Sequence, residues 1–545
     1  MLRKKVLIIS VSVLITFVLL PLVYHILASP PVPLKVAVLE EVIPKNYYVD
    51  ATSGNDSYDG LAPSYGGTHG PWKTFANLKG TGPWSPVQFN AGDNIFLKRG
   101  ETWNEKLTFA SDGAMTSGLI TYIIIRDYGD LALPKPKING DGLDFGIYLD
   151  RNFVYLKNIN VTYINHGFAQ GAVVGKGIGI GPSAAPNLEV IDRNLVIDSC
   201  DVSNCPQSGI SLWQRGHILI TGSRGSTTPI IYLLLLGDDE PESSQGGGVS
   251  APPPSFPEVS AKAASSYPSK YSSKIFSNGA NGIEAFGDAV KIAKCYIHDN
   301  NRNGIYYQGH YAQIKFNLIE RNGRDPSQTN LDHNIYLWGN NGTVIDNIIQ
   351  YANNGIGFRY SGSGLQFTNN KVIDNHHHGI GLWNEDYENV NSNNTISDNI
   401  IYVKRFDDVS DGNMAISLGY NAASGLFSHT NIINNVFKGQ NEAQAGGIAV
   451  QPCDQTIIQH NIFTNLRGPI IQLERSGPDW DWQNWTAELS FSSDWNKFYY
   501  TDPYYPWFDD GLGCFAWTCW QTQYDPHSPV IQGEYDPDSP LPPSP

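Results

Sequence analysis

The chain has 545 residues, 54 of them glycine and 3 methionine, with 12% aromatics and a formal net charge of −16. That length allows one long domain or two to three compact ones, and the acidic balance excludes ordinary nucleic-acid binding, whose footprint is basic. Glycine, asparagine and aromatic residues suit short strands joined by many turns better than they suit helices.

Residues 1–30 begin with Arg3, Lys4 and Lys5, followed by an apolar run over residues 6–28. A run of about 20 apolar residues is long enough to cross a bilayer, and the basic cluster would place its start on the cytoplasmic side. We read the segment as an uncleaved transmembrane anchor, with a cleaved signal peptide as the alternative. In either case the remainder is exported. Residues 31–45 read as a linker and the Pro-rich residues 531–545 as a tail.

Between them a motif recurs: glycine, isoleucine, any residue, then an apolar residue. It occurs at Gly146-Ile147, Gly177-Ile178, Gly209-Ile210, Gly282-Ile283, Gly304-Ile305 and Gly355-Ile356, and again at Gly379-Ile380 and Gly447-Ile448. Asn334-Ile335 and Ala415-Ile416 are variants. An asparagine before two apolar residues follows most of them, as at Asn347, Asn399, Asn435 and Asn461. The step from isoleucine to asparagine is 12 from Ile305 to Asn317, 12 from Ile335 to Asn347 and 14 from Ile356 to Asn370. One unit is therefore roughly 21 to 24 residues, the period of a solenoid. Within each strand isoleucine points in, the next residue out and the next apolar residue in. The asparagines are expected to form an inward ladder, bonding amide to amide from coil to coil.

Six cysteines in an exported chain invite disulfides. Cys514 and Cys519 can pair. Cys200 and Cys295 occupy the asparagine position and should be buried, about 9.6 Å apart if one coil separates them, too far to bridge. A Cys200–Cys205 bridge stays open. Residues 223–281, rich in Pro, Ser, Gly and Ala, read as a flexible insertion.

The repeat, the opening Tyr47-Tyr48-Val49-Asp50 with Gly70-Pro71-Trp72-Lys73, and Ala91-Gly92-Asp93 before Ile95-Phe96-Leu97 resemble the pectate-lyase-like right-handed parallel β-helix proteins. Trp520-Gln521 and Asp525-Pro526-His527-Ser528 resemble their common closing segment. The resemblance covers residues 46–530 and implies an all-β right-handed parallel β-helix (solenoid) behind an N-terminal transmembrane or signal helix. It also implies action on acidic polysaccharides. A lyase removes the proton beside a uronate carboxylate with Lys, Arg, His or Tyr, aided by Ca²⁺ or basic groups. A hydrolase needs two carboxylates. The lysine-bearing motif of the pectate lyases and the Gly-His-Gly pattern of polygalacturonases are not found, which leaves the reaction open.

Candidate residues follow from the register. Three positions after each isoleucine, an outward row reads Trp213, Phe286, Gln308, Trp338, Arg359 and Trp383. Its rings and amides suit a sugar chain lying along the axis, and Trp213, Gln308, Trp338, Trp383 and His378 are assigned to substrate binding. His333, Asn354 and His378 are expected on successive coils, with Asp332 orienting His333 as a general base. A lyase would use His333, Arg359, Asp332 and Lys315 for catalysis, with Ca²⁺ on Asp407, Asp408 and Asp411. A hydrolase would draw on Glu385, Asp386, Asp407 and Asp408. The expected partner is a polysaccharide, reached by a monomer held at the membrane, with a non-catalytic glycan-binding protein as the rival.

Overall fold

The structure is a computed structural model that describes residues 43–79, 87–109, 111–116, 119–149, 151–163, 176–180, 194–212, 218–222, 271, 273–325, 332–383, 391–404, 413–419, 427–439, 445–450, 453–473, 491–500, 508, 517–523 and 525–532. The chain winds through three parallel sheets of 14, 14 and 12 strands, each coil giving a strand to each in turn. In one coil, Thr343–Ile345 enters the first sheet, Ile348–Gln350 the second and Phe358–Ser361 the third. Ile335 and Leu337 are buried while Tyr336 and Trp338 are half-buried on the outer face, the alternation expected of a one-side-buried strand.

A two-residue corner joins the first sheet to the second. Its first residue adopts a left-handed conformation, as Asp346 does with φ 58°. The second is the ladder asparagine. The Asn317 amide donates to Asn347 Oδ1 at 2.9 Å, Asn347 to Asn370 at 3.0 Å and Asn370 to Asn399 at 3.2 Å. Asn399 donates to Asn435 at 2.9 Å, Asn435 to Asn461 at 3.1 Å and Asn461 to Asn496 at 3.1 Å. Each Oδ1 also accepts a backbone N–H from the coil before, as Asn347 does from Asn317 at 2.9 Å. The corner's polar groups are thus satisfied without water.

A second ladder, not evident in the motif, lines the corner after the second sheet. It runs through Asn278, Asn300, Asn322, Asn334 and Asn375 at 2.8, 2.8, 2.9 and 3.0 Å. Cys205 sits in this ladder, its N–H donating to Asn278 Oδ1 at 3.1 Å. Cys200 and Cys295 occupy the first ladder, with the strand Ile218–Thr221 on the coil between them. All three are free and buried, so the Cys200–Cys205 bridge does not form. Burial pushes the Cys200 thiol up to about 12. Cys519 is disulfide-bonded; Cys514 lies outside the described residues.

The insertion ends earlier than its composition suggested. Ser273–Phe276 is a strand of the second sheet, paired with Asp201–Ser203 on one side and Cys295–His298 on the other. Residues 223–270 and 272 lie outside the described residues, as does the expected membrane segment at 1–30. Among the described residues no helix is long and apolar enough to cross a membrane. At the far end Trp520 is fully buried, and Val530–Gln532 adds the last strand of the second sheet.

Candidate functional site

The third sheet's pairing sets which outward side chains stand together. Ile335 pairs with Phe358, and Phe358 with Ile380. Ile356, whose motif matched, lies two residues before the true partner, Phe358. This corrects the expected row: Arg359 does not share a rung with Gln308 and Trp338, whose row continues through Ser361. Arg359 belongs to the neighbouring outward row, which reads Ser211, Glu284, Tyr306, Tyr336, Arg359, Gly381 and Ser417. Trp383 stands next after Leu382 and reaches across to that row.

Arg359 is 9% exposed and lies between two rings. Its guanidinium carbon is 4.5 Å from the Tyr336 ring centre and 4.3 Å from that of Trp383. The Gly381 position leaves room for this: a Cβ there would meet Ile356 Cδ1 at 2.9 Å and Trp383 Nε1 at 3.3 Å. Tyr306 stands edge-on to Tyr336 at 5.2 Å. Burial raises both phenols above their ordinary value, and Arg359 opposes that rise in each. Glu284, one coil away, pushes Tyr306 further up. Burial lowers the Arg359 guanidinium, while the two tyrosines raise it.

The histidines flank this row as spacers. His333 is fully buried; its N–H donates to Asn303 Oδ1 at 2.7 Å, and its Nδ1 accepts the Ile356 N–H at 3.0 Å. A neutral ring that accepts at Nδ1 carries its proton on Nε2, the atom 3.4 Å from Arg359 Nη1. Two N–H groups face each other there, so the contact is packing. Burial and the Arg359 charge hold His333 well below its usual value. His378 repeats the pattern, its Nδ1 accepting the Met414 N–H at 3.2 Å, with burial pushing it down to about 3. Between the two histidines stands Ile356 and not Asn354, another result of the two-residue offset. Neither Nδ1 is open to substrate.

Asp332 is 4% exposed, and its Oδ2 is buried without a hydrogen-bond partner. Burial pushes its carboxyl up to about 6, opposed by Arg302. Asp332 does not orient the His333 ring, whose nitrogens face Ile356 and Arg359. Lys315 projects from the first sheet, paired with Ile345, and is not brought to Arg359. Trp213, Glu385, Asp386, Asp407, Asp408 and Asp411 lie outside the described residues. Among the described residues no group of three or more His, Cys, Asp or Glu is placed to hold a metal.

Glu284, Lys176, Tyr306 and Tyr336 were not singled out in the sequence. Ser208 Oγ donates to Glu284 Oε2 at 3.0 Å, Lys176 Nζ stands 3.7 Å from that oxygen, and Lys176 donates to Ser211 Oγ at 2.9 Å. The alternation rule already placed the tyrosines outward, one residue after each isoleucine.

The family model described as "Right handed beta helix region" matches residues 264–404 and 333–481. Among solved structures the chain is similar to a GH136 lacto-N-biosidase from Eubacterium ramulus, at 11% identity over 83% of this chain and 67% of that one, TM-score 0.41. It is also similar to a PL6 family polysaccharide lyase from Pseudopedobacter saltans, at 10% identity, 82% and 90% coverage, TM-score 0.40. A mannuronan C-5 epimerase A-module from Azotobacter vinelandii matches at 12% identity, 83% and 91% coverage, TM-score 0.37. No curated protein sequence matches the chain.

Proposed function

From the premise that this chain is a right-handed parallel β-helix repeat protein, we propose that it is an exported carbohydrate-active protein that binds an acidic polysaccharide along the outer face of the third sheet and cleaves it by β-elimination. The observation that carries this reading is Arg359 held flat between Tyr336 and Trp383 on that face. A planar guanidinium suits a carboxylate, and the flanking rings suit sugar faces.

Arg359 neutralises the uronate carboxylate and so acidifies the adjacent C5–H. Two phenols one coil apart match the two proton transfers: burial raises both, and Glu284 adds to the rise in Tyr306. Arg359 lies against the Tyr336 ring and favours its ionised form, so Tyr336 takes the C5 proton. Glu284 opposes ionisation of Tyr306, which stays protonated and donates to the leaving glycosidic oxygen. The C4–O bond breaks and an unsaturated sugar remains.

His333, neutral and wedged beside Arg359 and Tyr336, holds the pair in place. His378 supports the next coils, and Asp332 backs the corner. Gln308, Trp338 and Trp383 contact the chain, with Trp213 assigned alongside them. Lys315 has no part in this step. A Ca²⁺ on Asp407, Asp408 and Asp411 and retention at the membrane as a monomer through residues 1–30 remain part of the proposal, and no step above depends on them. Glycoside hydrolysis is less well supported, because Glu284 is the one carboxylate on the Arg359 row among the described residues and hydrolysis needs two.

The test is to incubate the protein with a panel of polyuronates and neutral polysaccharides, following ultraviolet absorbance and reducing ends together. Absorbing, unsaturated ends mark a lyase; reducing ends alone mark a hydrolase. Retention of a glycan without either product marks a binding protein.

A further inference from the structure

Three coils separate Arg359 from Glu284 along one outward row, through Tyr336 and Tyr306. Adjacent strands are about 4.8 Å apart, so the two charges stand about 14 Å apart. That rung spacing is close to the length of one pyranose in an extended chain. A glycan lying along the axis with its uronate on Arg359 therefore presents its third residue onward to Glu284.

The Glu284 carboxylate is a built feature. Ser208 and Ser211, 2% and 0% exposed, both donate to its Oε2, at 3.0 and 3.4 Å. Lys176 Nζ lies on the same oxygen's side, 3.7 Å away, and is itself bonded to Ser211. Three groups thus gather on Oε2, so Oε1 is the oxygen left to accept from a ligand. The Glu284 side chain is 19% exposed and that of Lys176 16%, so both reach the surface. A carboxylate oxygen accepts from hydroxyls and amides, whereas another ionised carboxylate has no proton to donate to it.

Resting on the acidic-polysaccharide reading above, we infer that Lys176, Ser208, Ser211 and Glu284 form a second sugar subsite that takes a neutral, hydroxyl- or amide-bearing residue three positions from the bound uronate. The substrate is then a heteropolysaccharide with acidic and neutral residues in alternation, and a homopolyuronate is disfavoured. In a strict alternation the third residue from a uronate is neutral; in a homopolyuronate it carries a charge against Glu284.

The experiment compares binding of hyaluronate, which alternates glucuronate with N-acetylglucosamine, and polygalacturonate, at one ionic strength. The wild-type protein, Glu284→Gln and Arg359→Gln are measured side by side, with their melting temperatures. Glutamine still accepts from Ser208 and Ser211, so the fold around it is kept. The expected result is that the wild type prefers hyaluronate by about tenfold and that Glu284→Gln narrows the preference by about fivefold, by gaining affinity for polygalacturonate. A preference unchanged by Glu284→Gln, or a wild type that favours polygalacturonate, overturns the inference. If Arg359→Gln weakens both polymers in that case, the site reading survives alone. If Arg359→Gln changes neither, or neither polymer binds, the site reading fails and this inference fails with it.

Discussion

The guanidinium carbon of Arg359 stands 4.3 Å from the centre of the Trp383 ring, and the two residues are carried by adjacent stretches of chain in the third sheet. The contact exists because Gly381 leaves the strand bare beneath it. Held between the two rings, Arg359 has little further entropy to lose on binding.

Replacing Arg359 with methionine should separate function from stability. The side chain is nearly buried, and burying a charge carries a desolvation penalty that an apolar residue avoids. The melting temperature should hold or rise, while polyuronate affinity falls by about tenfold or more. Arg359→Lys should fail as well, because a lysine keeps the charge but loses the stacked planar fork. Isothermal titration alongside thermal melting checks both.

Gly381→Val should damage the site without unfolding the coil. The added side chain meets Trp383 and Ile356 and displaces the indole from Arg359. We expect affinity to fall by roughly threefold to tenfold, with tryptophan fluorescence shifted and the melting temperature within a few degrees of wild type. Wild-type affinity in this variant would show that Trp383 takes no part.

Cleavage should speed up as pH rises into the alkaline range. Burial holds Tyr336 above its ordinary value, so the phenolate that accepts the proton is scarce at neutrality and grows with pH. Tyr336→Phe should abolish the rising limb and most of the rate. A pH–rate profile of both proteins decides this, and a limb that survives in Tyr336→Phe assigns the base elsewhere.

Acid stability depends on the buried histidines. His378 is pushed down to about 3 in the folded chain, whereas an unfolded histidine titrates near 6.5. The unfolded state therefore binds the extra proton first. Stability is fully present above about pH 6.5 and is lost as pH falls toward 3. His378→Asn supplies an acceptor for the Met414 N–H without a titrating group, as Asn303 does for His333 one stack lower. Denaturant melts at pH 7 and pH 4 should show a smaller acid loss in His378→Asn than in wild type.

The asparagine ladder should be costly to break. Asn347→Ala removes the acceptor of the Asn317 amide and backbone N–H and the donor to Asn370. A buried polar group left unpaired costs about 1–3 kcal/mol, so a loss of about 3 kcal/mol in total is expected. Gln366→Ala on the exposed first-sheet face should stay within about 0.5 kcal/mol.

Much of the scaffold was legible because its physics is periodic. A 12-residue step from isoleucine to asparagine marks the coil wherever the corner is short and placed Cys295 in the ladder, while the 10-residue return to the next isoleucine, Ile210, placed Cys200 there. The second ladder was there to be read, since Asn300, Asn322 and Asn375 each follow the first-ladder position by five residues, as Cys205 follows Cys200, but the motif scan ended at the first ladder. Arg359 was assigned to the wrong row because Gly355-Ile356 imitates the strand start. The warning was present: Ile356 to Asn370 is 14, whereas Phe358 to Asn370 restores 12. Glu284 follows Ile283 as Tyr306 follows Ile305, so its row was legible; its meeting with Lys176 was not, since nothing in a single coil shows which residues 108 apart in sequence meet across two rungs.

The most direct measurement is ultraviolet absorbance of a polyuronate digest run beside its carboxyl-reduced counterpart. The account predicts absorbing, unsaturated ends from the acidic polymer, none from the reduced one, and loss of the signal in Arg359→Gln. New reducing ends without absorbance, or equal cleavage of the reduced polymer, would contradict it.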